Sequence, residues 1–223
     1  MALSDPCHVT VQATLSHGGA ENVSDRFVSG FWYLAQLGYL ASNGYGGMHR
    51  EQYWDGLMGE HDSGLEGQDY YGLLQKDYTP TPDLYTHILW KRLVGGNVLA
   101  AKLAGASGSP PLLAYAFCRR GSSAGAVVLA LANLLPSGAA LRLDGLAAAP
   151  RVEYILTAPT LTGTDVLLNG APLRPHPAPN HSLPDVAAMG RAVAAPADLV
   201  LLPPHSYGFI ELPDARARAC GAP

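Results

Sequence analysis

The chain changes character near residue 97, and one layer architecture does not suit both sides of the change. Before it lie all three Trp and eight of the eleven Tyr, with Gly- and His-rich loops between apolar runs. After it come Ala, Leu, Val and Pro in short runs broken by turn residues. The first pattern suits buried helices joined by long connections, and the second suits short strands. With 223 residues, the chain has room for one large domain or two small ones.

Two helices are predicted in the first part. One runs from Arg26 to about Ala41, with Ser24 or Asp25 as its N-cap. Its apolar residues Phe27, Val28, Phe31, Trp32, Leu34, Ala35, Leu37 and Leu40 keep a 3.6-residue period over more than one face, which predicts burial. The other starts after Pro80-Thr-Pro82, with Asp83 in its first turn favoured by the helix dipole. It runs to Leu93, and Gly95-Gly96 form its expected stop. On periodicity, Phe27, Phe31, Trp32 and Trp90 are core packing and not a cofactor site. Between the helices, a Gly-rich connection of about 40 residues is long enough to imply function or mobility.

The second part reads as all-β. Strands are expected at Val98–Lys102, Leu112–Cys118, Ala126–Asn133, Ala140–Leu143, Val152–Thr157, Val166–Leu168, Leu199–Leu202 and Tyr207–Glu211, separated by Gly, Pro, Ser and Asn clusters. Short strands at this density suggest a sandwich. The Pro- and Ala-rich Pro172–Asp198 is expected to be a long loop.

Composition excludes several classes. With 48% apolar and 14% charged residues, charge repulsion does not keep this chain unfolded. A net charge of −4 argues against nucleic acid as a partner. The longest apolar stretches fall well short of a membrane span, and Met1–Cys7 has neither the basic nor the apolar region of a signal peptide. His8, His17, His49 and His61 form no i, i+4 pair around a Glu, and no Cys pair has zinc spacing, so no metal is expected. No phosphate-binding Gly motif follows a strand and no G-x-S-x-G occurs, so neither a nucleotide cofactor nor a serine nucleophile is expected.

One set of motifs is far more specific. Gln12-Ala-Thr-Leu-Ser-His-Gly-Gly19 is followed by Val23-Ser-Asp-Arg-Phe27 and Gly30-Phe-Trp-Tyr-Leu-Ala-Gln-Leu-Gly38. Next come Tyr71-Gly-Leu-Leu74, Pro82-Asp-Leu-Tyr85, Leu89-Trp-Lys-Arg-Leu-Val-Gly95 and Val98-Leu99. Weaker matches are Val166-Leu-Leu-Asn-Gly170, Pro204-His-Ser-Tyr-Gly-Phe209 and Ala219-Cys220. In this order and spacing the motifs resemble the heparanase-like β-glucuronidases, glycoside hydrolase family 79, downstream of the catalytic nucleophile. The resemblance covers about residues 12 to 220.

It implies an α/β plus all-β chain: residues 1–97 as the last strands and helices of a (β/α)8 barrel, residues 98–223 as a β-sandwich domain. A whole barrel takes about 250 residues, so an N-terminal barrel half would be an expected partner. The implied reaction is retaining hydrolysis of a glucuronic-acid-containing glycan or proteoglycan, endo or exo, by two carboxylates about 5–5.5 Å apart. The family's acid/base belongs to an earlier barrel strand. Counting back from Gly18-Gly19 puts the nucleophile at Gln12, or at Val11 with one gap, and neither is a carboxylate. An amide neither forms the glycosyl ester nor stabilises an oxocarbenium ion by charge. The chain is therefore expected to be inactive as written, as a fragment or as an inactive relative. A non-catalytic carbohydrate-binding or interaction protein is the alternative.

For the sugar, the resemblance implies Gly18, Gly19, Tyr71 and Gly72, together with Arg50 and Gln52 in place of an Arg-Gln pair that ends a barrel strand. Glu51, Asp55, Glu60, Asp62, Glu66 and Asp69 are expected to be solvated loop carboxylates. Asn22 and Asn180 begin glycosylation sequons. Three cysteines allow one internal disulfide. The family's tail-to-sandwich bridge implies that it joins Cys118 to Cys220, leaving Cys7 as a thiol. An extracellular, lysosomal or vacuolar location is implied with it. The basic residues are scattered, only Lys91-Arg92 and Arg119-Arg120 being adjacent, which favours a weakly sulfated glycan.

Overall fold

The structure is a computed structural model that describes residues 8–11, 19–50, 52–55, 70–104, 111–122, 124–144, 150–176, 182–194 and 198–221. The chain divides into two compact units. One comprises Met1–Thr86 with Ala158–Asp165, the other His87–Thr157 with Val166–Pro223.

In the first unit, β1 (His8–Val11) and β2 (Gly47–Arg50) pair in parallel, with Val11 opposite Arg50. Parallel neighbours require a crossover, and the crossover here contains α1 (Phe27–Ser42). Phe27, Phe31, Tyr33, Leu34 and Leu40 are buried, and the Phe27 and Phe31 rings meet edge to face at 5.7 Å. Trp32 is only half-buried. The expected Ser24 or Asp25 cap is not formed. Arg26 is the N-cap and makes no side-chain cap bond, while the Ser24 hydroxyl accepts the Ala20 N–H at 3.0 Å. The N–H groups of Phe27 and Val28 in the first turn donate instead to the carbonyls of Gly163 and Leu161, each at 2.9 Å. A segment distant in sequence thus satisfies the donors that a helix start leaves unpaired.

α2 (Pro82–Leu93) starts at a proline, whose missing N–H costs nothing at the first helical position. Within α2, Thr86 ends the N-terminal segment of the first unit and His87 opens the second. No helix is long and apolar enough to cross a membrane among the described residues.

The second unit is mainly sheet. Its strands are β3 (Val94–Leu99), β4 (Leu112–Arg119), β5 (Val127–Asn133), β6 (Ala139–Arg142), β7 (Arg151–Thr157), β8 (Leu167–Leu168), β9 (Ala171–Pro172), β10 (Arg191–Val193), β11 (Leu199–Leu202) and β12 (Ser206–Leu212). The main sheet has the order β3-β4-β5-β12-β7-β8-β9, with β10 also on β7, and β6 pairs with β11 separately. Each of the eight expected strands has a counterpart. β5 is buried at all seven positions because both of its faces are covered. Leu129 and Leu131 share a core with Ile155, Ile210, Leu212 and, from β11, Val200 and Leu202. On the alternate face, Trp90 packs edge-on against Phe117 and Phe209, at 5.0 and 6.3 Å.

Two expectations fail here. Gly95-Gly96 do not end α2. They lie inside β3, where the register shifts between Val94 and Val98, and a Cβ on Gly95 would stand 2.6 Å from the Cys118 carbonyl oxygen. Nor is Pro172–Asp198 all loop: it contains a 3-10 turn at Val186–Met189 and β10. β10 is too short to show a period, and its register pairs Arg191 with Glu153. The buried Glu153 carboxylate takes Arg151 Nη2 at 2.7 Å and Arg191 Nε at 3.1 Å. Asn169-Gly170, with φ of +52° and +84°, make the tight turn of the β8–β9 hairpin. The Asn169 side chain also bridges to Glu153 and Ile155 of β7.

Candidate functional site

The parallel register brings the C-terminal ends of β1 and β2 to one edge, Val11 beside Arg50. Gln12 and Gly18 lie outside the described residues, and the description resumes at Gly19. Beyond β2, the segment Gln52–Asp55 pairs with Gly72–Leu74. Leu73 N–H donates to Gln52 O at 3.2 Å, Leu74 N–H to Tyr53 O at 2.9 Å, and Asp55 N–H to Leu74 O at 2.9 Å. Thr81 closes the other side, its hydroxyl donating to Gly72 O at 2.9 Å.

Arg50, expected at the sugar, is deeply committed within the protein. Its Nη2 donates to Asp83 Oδ2 and to Tyr71 O, both at 2.8 Å. Its guanidinium carbon lies 5.4 Å from the Trp32 ring centroid and 5.0 Å from that of Tyr33. Ser29 donates to the same Asp83 oxygen at 3.0 Å. With side chains 3% and 0% exposed, Arg50 and Asp83 form a desolvated pair, so removal of either strands the other. Burial pushes the Asp83 carboxyl above the usual carboxylate range, and Arg50 and Ser29 offset only part of that. Burial raises the Tyr33 hydroxyl as well.

Gly19 and Tyr71 come together. Gly19 has φ +83°, and a Cβ there would stand 2.9 Å from Ser24 Oγ and 3.3 Å from Tyr71 Cβ. Gly72 is more tightly enclosed, because a Cβ would lie 2.3 Å from Asp55 Oδ1. That oxygen accepts the Gly72 N–H at 2.6 Å, with Gln52 Nε2 at 3.5 Å. Asp55 is therefore not the solvated loop carboxylate expected. It is 2% exposed and orders the turn that carries Tyr71-Gly72. Of the expected site residues, Gly19, Arg50, Gln52, Tyr71 and Gly72 thus converge on one loop system, while Asn22 stands in a turn with its Oδ1 accepting from Arg26 at 2.7 Å. Asn180 lies outside the described residues. In the second unit, Cys118 and Cys220 are bridged.

No protein-family model matches the chain. Inactive heparanase-2 of Homo sapiens is 30% identical, over 93% of this chain and 35% of that protein. Heparanase-like protein 1 of Arabidopsis thaliana is 30% identical, over 92% of this chain and 40% of its own length. Baicalin-beta-D-glucuronidase of Scutellaria baicalensis is 31% identical, over 88% of this chain and 34% of its own length. The chain is a heparanase-like sequence. It spans between a third and two-fifths of the length of these relatives, from 34% to 40%.

The fold of this heparanase-like chain also occurs in glycoside hydrolases. The GH51 alpha-L-arabinofuranosidase from Thermotoga petrophila RKU-1 superposes with a TM-score of 0.61 at 12% identity, covering 92% of this chain and 42% of that one. Two features of this region were missed in the sequence. Asp55 looked like one loop acid among several, and Asp83 like a helix-dipole residue. Only its three-dimensional pairing with Gly72 shows what Asp55 does; Glu51, Glu60, Asp62, Glu66 and Asp69 of the same Gly-rich stretch lie outside the described residues.

Proposed function

We propose that this chain is a catalytically silent, glycan-binding relative of the retaining β-glucuronidases. In this reading residues 1–97 supply the last strands and helices of a (β/α)8 barrel and residues 98–223 a β-sandwich domain. The glycan contains glucuronic acid and meets the chain at Gly18, Gly19, Tyr71 and Gly72, with Arg50 and Gln52 positioning that loop from beneath.

The observation that carries the reading is the edge where β1 and β2 end together, with Val11 opposite Arg50. The resemblance puts the nucleophile at the end of β1, at Gln12 or, with one gap, at Val11, and neither is a carboxylate. Among the described residues around this loop system, the Asp55 and Asp83 carboxylates are engaged, Asp55 by the Gly72 N–H and Asp83 by Arg50 and Ser29. A retaining mechanism needs a carboxylate that attacks and a second that donates a proton. Relatives named inactive heparanase-2 and baicalin-beta-D-glucuronidase support both halves of the reading, a lost reaction and a glucuronide ligand. The Cys118–Cys220 bridge supports an oxidising location, extracellular, lysosomal or vacuolar.

The test is an aryl β-glucuronide assay of the purified chain, paired with calorimetry on a glucuronic-acid-containing oligosaccharide. Binding without turnover is expected, and weaker binding by Tyr71→Phe. Turnover above background, or no binding, overturns the reading.

A further inference from the structure

Trp54 and Tyr78 lie with ring centroids 5.1 Å apart and planes within 5° of parallel. Tyr78 is 64% exposed and Tyr53, beside Trp54 in the chain, is 56% exposed. Large aromatic rings left in water need a reason when they are also held rigid. These rings are. The Trp54 indole N–H donates to Lys76 O at 3.3 Å. The turn that carries Tyr78 is closed by Gln75 N–H to Thr79 O and by Tyr78 N–H to Gln75 O, each at 2.9 Å. Asp77 Oδ1 accepts the Thr79 N–H at 3.0 Å. Tyr78 itself has φ +66°, a left-handed conformation that is costly for a bulky aromatic residue. The fold keeps a strained residue where glycine would be cheaper, and what it gains is a fixed ring facing solvent.

We infer that Trp54 and Tyr78 form a stacking platform for a pyranose ring of a glycan chain, separate from the ring received at Gly19 and Tyr71-Gly72. The inference rests on the glycan-binding reading above. The patch is aromatic and not aliphatic, and its near neighbours Gln75, Lys76, Asp77 and Thr79 are polar. A flat aromatic face suits the C–H face of a sugar, and the tyrosine hydroxyls suit its rim. A protein partner would want a broader apolar core. The platform is also continuous with the sugar loop. Trp54 bridges to Leu74, three residues along from Tyr71, which is roughly 10 Å at the rise of an extended chain. A ligand longer than a disaccharide therefore meets both places.

The experiment is calorimetry on the full chain with a β-linked glucuronic acid–N-acetylhexosamine hexasaccharide and with the disaccharide of the same composition. Tyr78→Gly removes the ring and relieves the strain, so folding is retained, and Tyr78→Phe keeps the ring. Wild type and Tyr78→Phe are expected to prefer the hexasaccharide. Tyr78→Gly should lose about fivefold to tenfold on the hexasaccharide and almost nothing on the disaccharide. Trp54→Ala should repeat that pattern. Equal hexasaccharide binding by wild type and Tyr78→Gly overturns the platform while leaving the first sugar site standing. Self-association that disappears in Tyr78→Gly without any hexasaccharide effect overturns it in favour of a protein contact. Failure of wild type to bind either oligosaccharide overturns the glycan reading and the platform with it.

Discussion

The two units of this chain are held by different kinds of bond. In the second, a ladder of antiparallel strands satisfies the backbone locally, β5 pairing along its whole length with β4 on one side and β12 on the other. A disulfide ties the tail to β4. In the first, the described parallel pair is four residues long, and side chains do much of the rest. Arg50, Asp83 and Ser29 link β2, α2 and α1, Asp55 clamps Gly72, and backbone carbonyls of Gly163 and Leu161 cap α1. The difference teaches where sensitivity lies. Sheet pairing spreads its energy over many equivalent bonds, whereas a desolvated ion pair concentrates it in one.

The comparison can be broken most severely at the disulfide. A sequence separation of 102 residues makes the loop long, and opening it should destabilise the second unit by about 4.7 kcal/mol in the chain-entropy model. Urea unfolding of the Cys118→Ala, Cys220→Ala double variant against the oxidised wild type measures this. Little change would mean that the sheet alone sustains the unit.

Next in size is Asp83→Ala, which leaves the Arg50 guanidinium buried without its partner. A loss of about 3–5 kcal/mol is expected, concentrated in the first unit. Hydrogen exchange resolved by segment should show α1 and β2 opening while β5 and β12 keep their protection. Uniform loss across both units would show that they do not differ as described.

Gly72→Ala is a smaller intrusion at the same loop system. Its Cβ would fall 2.3 Å from Asp55 Oδ1 and 2.8 Å from Leu74 O, so the turn must shift. The expected cost is about 1–3 kcal/mol, read as a lowered thermal midpoint together with weaker oligosaccharide binding. Binding loss without any stability change would separate recognition from support.

The smallest effect is a titration. The Thr79 backbone N–H, with a further bond from the Thr79 side chain, holds the exposed Asp77 carboxyl below its ordinary value of 3.8. A depressed pKa contributes stability that is complete above that ordinary value and lost as pH falls through the folded one. Near-ultraviolet circular dichroism of the Trp54–Tyr78 stack should therefore hold steady down to about pH 4 and decay below it, earlier than the signal of the β-sheet. Asp77→Asn should remove that early step.

Much of the second unit was legible residue by residue. Short apolar runs bounded by turn residues located strands such as Leu112–Arg119 and Val127–Asn133, because run length and turn chemistry are local properties. β10 escaped because its anchor is an ion pair to Glu153, which no local pattern announces. Gly95-Gly96 misled for a related reason: a helix stop and a strand passing close to the Cys118 carbonyl both call for glycine. Both helices were legible from periodicity and their start signals, but the cap of α1 was not, since its partners lie some 130 residues away in Leu161 and Gly163. Of the candidate site, the motifs singled out Gly19, Tyr71 and Gly72. They did not show that Arg50 works beneath the loop, or that Asp55 is buried among acids expected to be exposed.

By itself the sequence determined the change of composition near residue 97, the helix period, the short apolar runs of the strands, the heparanase-like relationship and the amide at Gln12. These are properties of residue type and spacing along the chain. Only the tertiary structure decided which strand neighbours which, that Val11 stands beside Arg50, that Ala158–Asp165 returns to cap α1, and that Trp54 lies flat on Tyr78. The reason is physical. Hydrophobic period and turn preference act over a few residues, whereas burial, charge pairing and ring stacking are set by whatever the fold brings within a few ångströms.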